Sequence, residues 1–421
     1  MTAKSSVRSV PAFRKDIFWI SSVLVLALLA LALIGTSAVQ FIYGDVLEYR
    51  AVFDGRWHEA HEPFADRILV PLLGRAVNGI SGIDPWIALA LVNVGFYALF
   101  LLALNRLLIA FGVIDSRLRV LILASPIFLY WSRSVALPDI AYNALVAAGL
   151  WAFVRRRWTT LVGLVVVMTL TKEVAVLFTL PAVFLLARRQ PRVALALGIA
   201  CFASLGLAQW IARQSPGNLH GVHPLLYPIL KVAFHGPENL LGLKLAFPGR
   251  PGQEDIWFKI DLPNIGALGR IDWIGVDTWR PHPHSQLALG LLGAFGMFTL
   301  APFTREFWRR LWRTEEHVLF VRFVLIYGVL MVVSNLLGGI LIERVLGYAW
   351  PLFLLLGVFW LSQTRIALDG RWVALHLAMT WGVHLVLYWF GVAASPWLIL
   401  LTYAVLLVPG VLWFRTARAA A

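Results

Sequence analysis

Long apolar runs that end in short arginine clusters restrict this chain more than any other feature. Runs long enough to cross a bilayer, or nearly so, stand at about 17–40, 86–111, 118–132, 138–154, 192–212, 285–303, 318–340, 345–362, 372–392 and 396–414. In hydrocarbon every backbone N–H and C=O must be satisfied by the chain itself, and a helix does this within one segment. With 60% hydrophobic and 14% charged residues, the 421-residue chain is too apolar for a soluble core to absorb. The expected fold class is an all-α polytopic membrane protein, a single integral membrane domain over 1–421, with the lipid bilayer as its first partner.

The net charge of +14 could point to nucleic acid. The Arg and Lys residues, however, sit mainly in short runs between apolar stretches, as in loops that fix topology, so no nucleic-acid partner is expected. Many of the 19 Trp residues, such as Trp86, Trp131, Trp350, Trp372 and Trp397, fall near span ends, where an amphipathic ring suits the headgroup layer. Cys201 is the one cysteine and lies inside an apolar run, which removes disulfide frameworks and thiol metal sites. Lys4, Arg8, Arg14 and Lys15 precede the first run, and Thr36-Ser37-Ala38 faintly resembles a cleavage site. The run exceeds a signal-peptide core, so an uncleaved first span is expected.

Residues 159–187 form an apolar run interrupted only by Thr171-Lys172-Glu173, with Arg155-Arg156-Arg157 before it and Arg188-Arg189 after it. One long tilted helix and two short half-helices are the competing readings. With the N-terminus inside, a single crossing puts Arg188, Arg189, Arg192, Arg305, Arg309, Arg310 and Arg313 outside, against the positive-inside rule. An even number of crossings puts them inside, together with Arg365, Arg371, Arg415 and Arg418. The run is therefore predicted to be a re-entrant or short-helix hairpin with Lys172-Glu173 at its tip. Half-helices of about thirteen residues reach about 20 Å, so the tip stops below the outer surface. The total is about twelve hydrophobic helices with interfacial helices, both termini cytoplasmic and the bacterial inner membrane as the expected location.

Three segments then face outward. The first, 41–84, runs from Asp45, Glu48 and Tyr49 into a helical, interfacial stretch through Pro63 and Arg67 to Arg75. The second is one long extracytoplasmic loop, 213–284, whose aromatic content argues for order. The third is the boundary holding Glu343, Arg344 and Tyr348. Asp45, Glu48, Arg67, Asp139, Lys172, Glu173, Glu343 and Arg344 all fall at or just under the outer surface on this topology. Mixed carboxylates and cations suit a reaction in which a base removes a proton while Arg or Lys steadies a phosphate leaving group.

Each has a plainer role. Asp45 and Glu48 can solvate the end of the first span, and Arg67 can snorkel from an interfacial helix. Asp139, after Pro138, is placed to complement a helix dipole. Lys172 and Glu173 can pair with each other, and Arg344, next to Glu343 and followed by an apolar span, can be ordinary interfacial charge. His220 and His223, and His282 and His284, form two short clusters, but Pro283 between the latter pair disfavours a helical ligand pair. No metal site and no cofactor are therefore assigned; His284, at the mouth of a span, is a candidate sugar or phosphate contact. A divalent metal is not indicated by any acidic cluster beside them.

This layout resembles the GT-C superfamily of integral membrane glycosyltransferases, which take sugars from polyprenyl-phosphate donors. The likeness lies in an acid after the first span (Asp45), interfacial helices after it (Pro63 to Arg75), a basic-acidic pair inside the fifth hydrophobic segment (Lys172-Glu173), and an Arg leading into a Pro-containing span (Arg344, Tyr348, Pro351). The acidic doublet of some members is absent. The resemblance implies an inverting transfer from a polyprenyl-phosphate-linked sugar to a glycan, glycolipid or protein acceptor. Asp45 and Glu48 are then the catalytic acids. Arg67, Lys172 and Arg344 hold the donor phosphate, and Tyr49, Asp139, Glu173, Glu343 and His284 contact substrate. A transporter or flippase of a lipid-linked or acidic solute also needs charges in the bundle, but no internal repeat supports inverted halves. A non-catalytic membrane subunit is the third reading, marked by Asp45→Asn leaving activity intact.

Overall fold

The computed structural model describes residues 18–23, 45–60, 64–123, 125, 127–128, 137–213, 291, 294–313, 317–338, 346–363, 370–371 and 373–378. The expected span at 396–414, most of those at 17–40 and 372–392, and the loop 213–284 beyond Arg213 lie outside the described residues. Among those described, the regular structure is helical and no strand occurs. The helices are α1 (Asp45–Asp54), α2 (Leu69–Ser81), α3 (Pro85–Ala110), α4 (Ser116–Leu123), α5 (Asp139–Val154), α6 (Trp158–Thr171), α7 (Ala175–Leu186), α8 (Pro191–Arg213), α9 (Arg305–Arg313), α10 (Val318–Gly338) and α11 (Leu356–Ser362).

Three of them, α3, α8 and α10, are long and apolar enough to cross a membrane. At 1.5 Å per residue even the shortest, α10, is about 30 Å long, the thickness of the hydrocarbon layer. Other expected spans are built differently. Within 118–132 the described residues hold the end of the eight-residue α4, a bend at Ser125 and helical backbone again at Ile127 and Phe128. Pro126 follows Ser125 in sequence, and the residue before a proline is pushed out of helical backbone. Within 285–303 the described piece Gly296–Phe303 is a 3₁₀ helix containing Pro302. The run at 345–362 is a chain of unlike turns: 3₁₀ at Gly347–Ala349, π-helical at Pro351–Leu355, then α11. Apolar composition demands burial there without dictating one helical pitch.

Residues 159–187 form two helices. Lys172 is extended (φ −161°, ψ 131°), which ends α6, and α7 starts at Ala175. The direction of α7 follows from its neighbours. Lys172 meets Asp139, the first residue of α5. Gly149 lies about 15 Å further along α5 at helical rise. A Cβ on Gly149 would come within 2.9 Å of both Met168, before the break, and Phe178, after it. Both halves therefore run back along the same side of α5, and the chain doubles back at Lys172-Glu173. Thr169 of α6 also reaches Cys201 midway along α8, with 3.8 Å between Oγ1 and Sγ.

This turn gives the bundle two unlike ends. At one lie α1, the 3₁₀ turn Phe64–Asp66, α2, the start of α3 and the helix break. Asp84 caps α3 there, its carboxylate accepting from the backbone N–H of Trp86 (2.8 Å) and Ile87 (3.3 Å), with Pro85 in the first turn. Gly74 lets α2 close on α3, since a Cβ would stand 2.8 Å from Leu89. At the other end Phe111 stacks on Phe359 at 4.1 Å and Phe153 on Phe323 at 4.6 Å. Arg155 to Arg157 follow α5 there and Arg188 and Arg189 follow α7. The Arg310 side chain of α9 bonds the Gln363 carbonyl just past α11, so Arg305 and Arg309 belong to this end too.

Candidate functional site

The residues Lys172 and Glu173, adjacent in sequence, take separate partners brought in from far along the chain. Extended backbone at Lys172 turns successive side chains to different sides, so each takes its own hydrogen-bond partner. Glu173 receives Arg67 in a two-pronged ion pair, Nε at 2.9 Å and Nη2 at 2.6 Å from its carboxylate oxygens. Lys172 donates to Asp139 at 2.7 Å. The Tyr348 hydroxyl accepts from Lys172 and donates to the same Asp139 oxygen. Asp139 and Lys172 are almost wholly buried, which is tolerable only for charges that are paired and hydrogen-bonded.

Supporting groups hold this arrangement. Arg67 also donates to the Tyr49 hydroxyl at 2.7 Å and lies over the Phe64 ring at 5.1 Å. Burial disfavours the Arg67 charge, but Glu173 and Tyr49 outweigh it and raise its pKa above that of an ordinary arginine. Asn143 donates to the Asp139 carbonyl at 2.8 Å and accepts from Trp350 Nε1 at 3.1 Å. That pair fixes the start of α5 against the segment carrying Tyr348. Tyr142 and Tyr327, with hydroxyls 3.4 Å apart, lie in the bundle beside it.

The site therefore gathers Arg67, Asp139, Lys172 and Glu173 of the expected residues. Arg67 is a correction to the snorkelling alternative: it is buried and paired, because Glu173 satisfies its fork. Tyr49, also among the expected residues, carries no exposed surface and its hydroxyl accepts from Arg67. Glu48 is half-buried on α1, one residue before Tyr49. Asp45 opens α1, but its side chain, Glu343, Arg344 and His284 lie outside the described residues. Tyr348 stood in the sequence only as a mark of the Arg344 segment and Trp350 only as a span-end tryptophan, though it is fully buried, and Asn143, Tyr142 and Tyr327 were missed. A polar atom on an aromatic or amide inside an apolar run is the one signal they offered.

Chemically, Arg67 and Lys172 can bind an anion if their carboxylate partners yield, and Glu173 is the accessible member, with its side chain 30% exposed against 7% for Arg67. Among the described residues, no group of three or more His, Cys, Asp or Glu could hold a metal ion. No protein-family model matches the chain, and no curated protein matches it in sequence.

Proposed function

We propose that the chain is a multi-pass membrane glycosyltransferase of GT-C layout, moving a sugar from a polyprenyl-phosphate donor to a glycan, glycolipid or protein acceptor on the extracytoplasmic side. The observation that carries this reading is the pair of buried cations, Arg67 and Lys172, held by carboxylates at the end of the bundle opposite the arginine clusters. A planar guanidinium already fixed in two-pronged contact with Glu173 has the geometry a phosphate would take in its place. The reading includes about twelve helices, cytoplasmic termini and the bacterial inner membrane.

In this mechanism Asp45 takes the proton of an acceptor hydroxyl, whose oxygen attacks the anomeric carbon. The bond from that carbon to the phosphate oxygen breaks with inversion, and polyprenyl phosphate leaves. Arg67, Lys172 and Arg344 hold its charge, and stabilising a leaving group already fixed in place is where such cations act most. Glu48, Tyr49, Asp139, Glu173, Glu343 and His284 shape the surroundings. The test uses full-length protein in liposomes with a panel of polyprenyl-phosphate sugars. Asp45→Asn should abolish transfer while polyprenyl-phosphate binding persists; retained turnover would remove Asp45 as the base. The depth of the Lys172–Asp139 pair favours one second reading, a transporter or flippase of a lipid-linked or acidic solute. Vesicle-to-vesicle movement of the labelled lipid without any sugar transfer would decide for it.

A further inference from the structure

The outer side of α7 and α8, at the arginine end and away from Lys172, carries an open apolar groove of about 550 Å³. Val183 and Ala187 form one wall, and Pro191, Ala194, Gly198 and Phe202 run along the other. Small residues at 187, 194 and 198 make the hollow, and a Cβ on Gly198 would meet nothing within 4 Å. Of the three helices long enough to span, α8 keeps least of its apolar window inside the protein, 28% against 50% for α3 and 44% for α10. Leu195, Ile199 and Phe202 are all more than half exposed on this side.

Arg188, Arg189 and Arg192 adjoin in sequence the lining residues Ala187 and Pro191 at one end of the groove, all exposed, and none has an ion pair with any described residue. From Pro191 to Phe202 the groove extends about 16 Å along the helix, half of a hydrocarbon layer about 30 Å thick. We infer that this groove binds one anionic phospholipid, an acyl chain lying along Ala194 and Gly198 and its phosphate at Arg188, Arg189 and Arg192. The inference rests on α8 crossing a bilayer and is independent of any catalytic role at the other end. Charge complementarity selects the headgroup, since arginines at a bilayer surface favour anionic lipid. The length selects a single leaflet.

The experiment titrates full-length protein in detergent with dioleoyl phosphatidylglycerol or dioleoyl phosphatidylcholine and counts retained lipid by native mass spectrometry. Wild-type protein should retain one phosphatidylglycerol about tenfold better than phosphatidylcholine. The triple variant Arg188→Gln, Arg189→Gln, Arg192→Gln should lose that preference. Gly198→Phe, which fills open space, should lower phosphatidylglycerol retention about tenfold while helix content stays unchanged. Equal retention of both lipids by the wild type would overturn the inference. So would a Gly198→Phe variant that binds phosphatidylglycerol like the wild type, since the attraction would then be to the arginines alone.

Discussion

Replacing Lys172 by Met should cost about 3 kcal/mol of stability, the lower part of the range for breaking a buried pair from one side. Asp139 would be left in a place where only 2% of its side chain is exposed. Tyr348 still donates to it, which holds the loss to the lower part of that range. Asp139→Leu should cost a similar amount by stranding the ammonium. The double variant removes both charges and leaves the Tyr348 hydroxyl short of partners, about 1–2 kcal/mol. The two changes should therefore be strongly non-additive, with a coupling of at least about 2 kcal/mol. Reversible unfolding in mixed micelles, followed by far-UV circular dichroism, measures all four corners of the cycle. If the double variant loses the sum of the single losses within about 0.5 kcal/mol, the pair does not hold the helix break to α5 and the reasoning fails.

Glu173→Gln should raise the affinity for polyprenyl phosphate about fivefold, corresponding to about 1 kcal/mol once the exposure of this pair is discounted, and Arg67→Gln should lower it; isothermal titration in detergent reads both. Gly149→Leu should destabilise by about 1–3 kcal/mol by driving Met168 and Phe178 apart, checked by thermal unfolding. At the end of α1, partial burial raises the pKa of Asp54, but hydrogen bonds from Arg50 and Arg56 prevail and hold it below its ordinary 3.8. A lowered carboxylate pKa stabilises above the unfolded value and ceases to as pH falls through the folded one. Hydrogen exchange over residues 45–60 should thus be slow near pH 5 and accelerate below about pH 4, relative to Asp54→Asn, in which this step is absent.

The helix break was legible because Lys172 and Glu173 are the only charges in a long apolar run, and the arginines on either side required the chain to return. Their partners were not legible. Asp139 and Arg67 lie 33 and 106 residues away from Lys172 and Glu173 respectively, and no local spacing encodes such contacts. Asp139 also shows that two roles can share one residue: it starts α5 after Pro138 and closes on Lys172. The 3₁₀ backbone of Gly296–Phe303, inside the expected span at 285–303, was not legible for a different reason. Periodicity and hydropathy record how much surface must be hidden, whereas local breakers such as Pro302 decide what backbone hides it. The described part of 345–362 is almost wholly buried, so no polar face set its pitch.

The claim on which the rest depends is that the helix break and the arginine clusters lie on opposite faces of a membrane. Cys201 is the sole cysteine and is buried, so Cys201→Ser supplies a clean background. Single cysteines at Gly55, Arg156 and Gln190 can then be probed with an impermeant maleimide in right-side-out and inverted vesicles. Gly55→Cys should label only from the outer face, and Arg156→Cys and Gln190→Cys only from the inner one. Labelling of Gln190→Cys from the same face as Gly55→Cys would mean that the run from Trp158 to Leu186 crosses once, and would contradict the account.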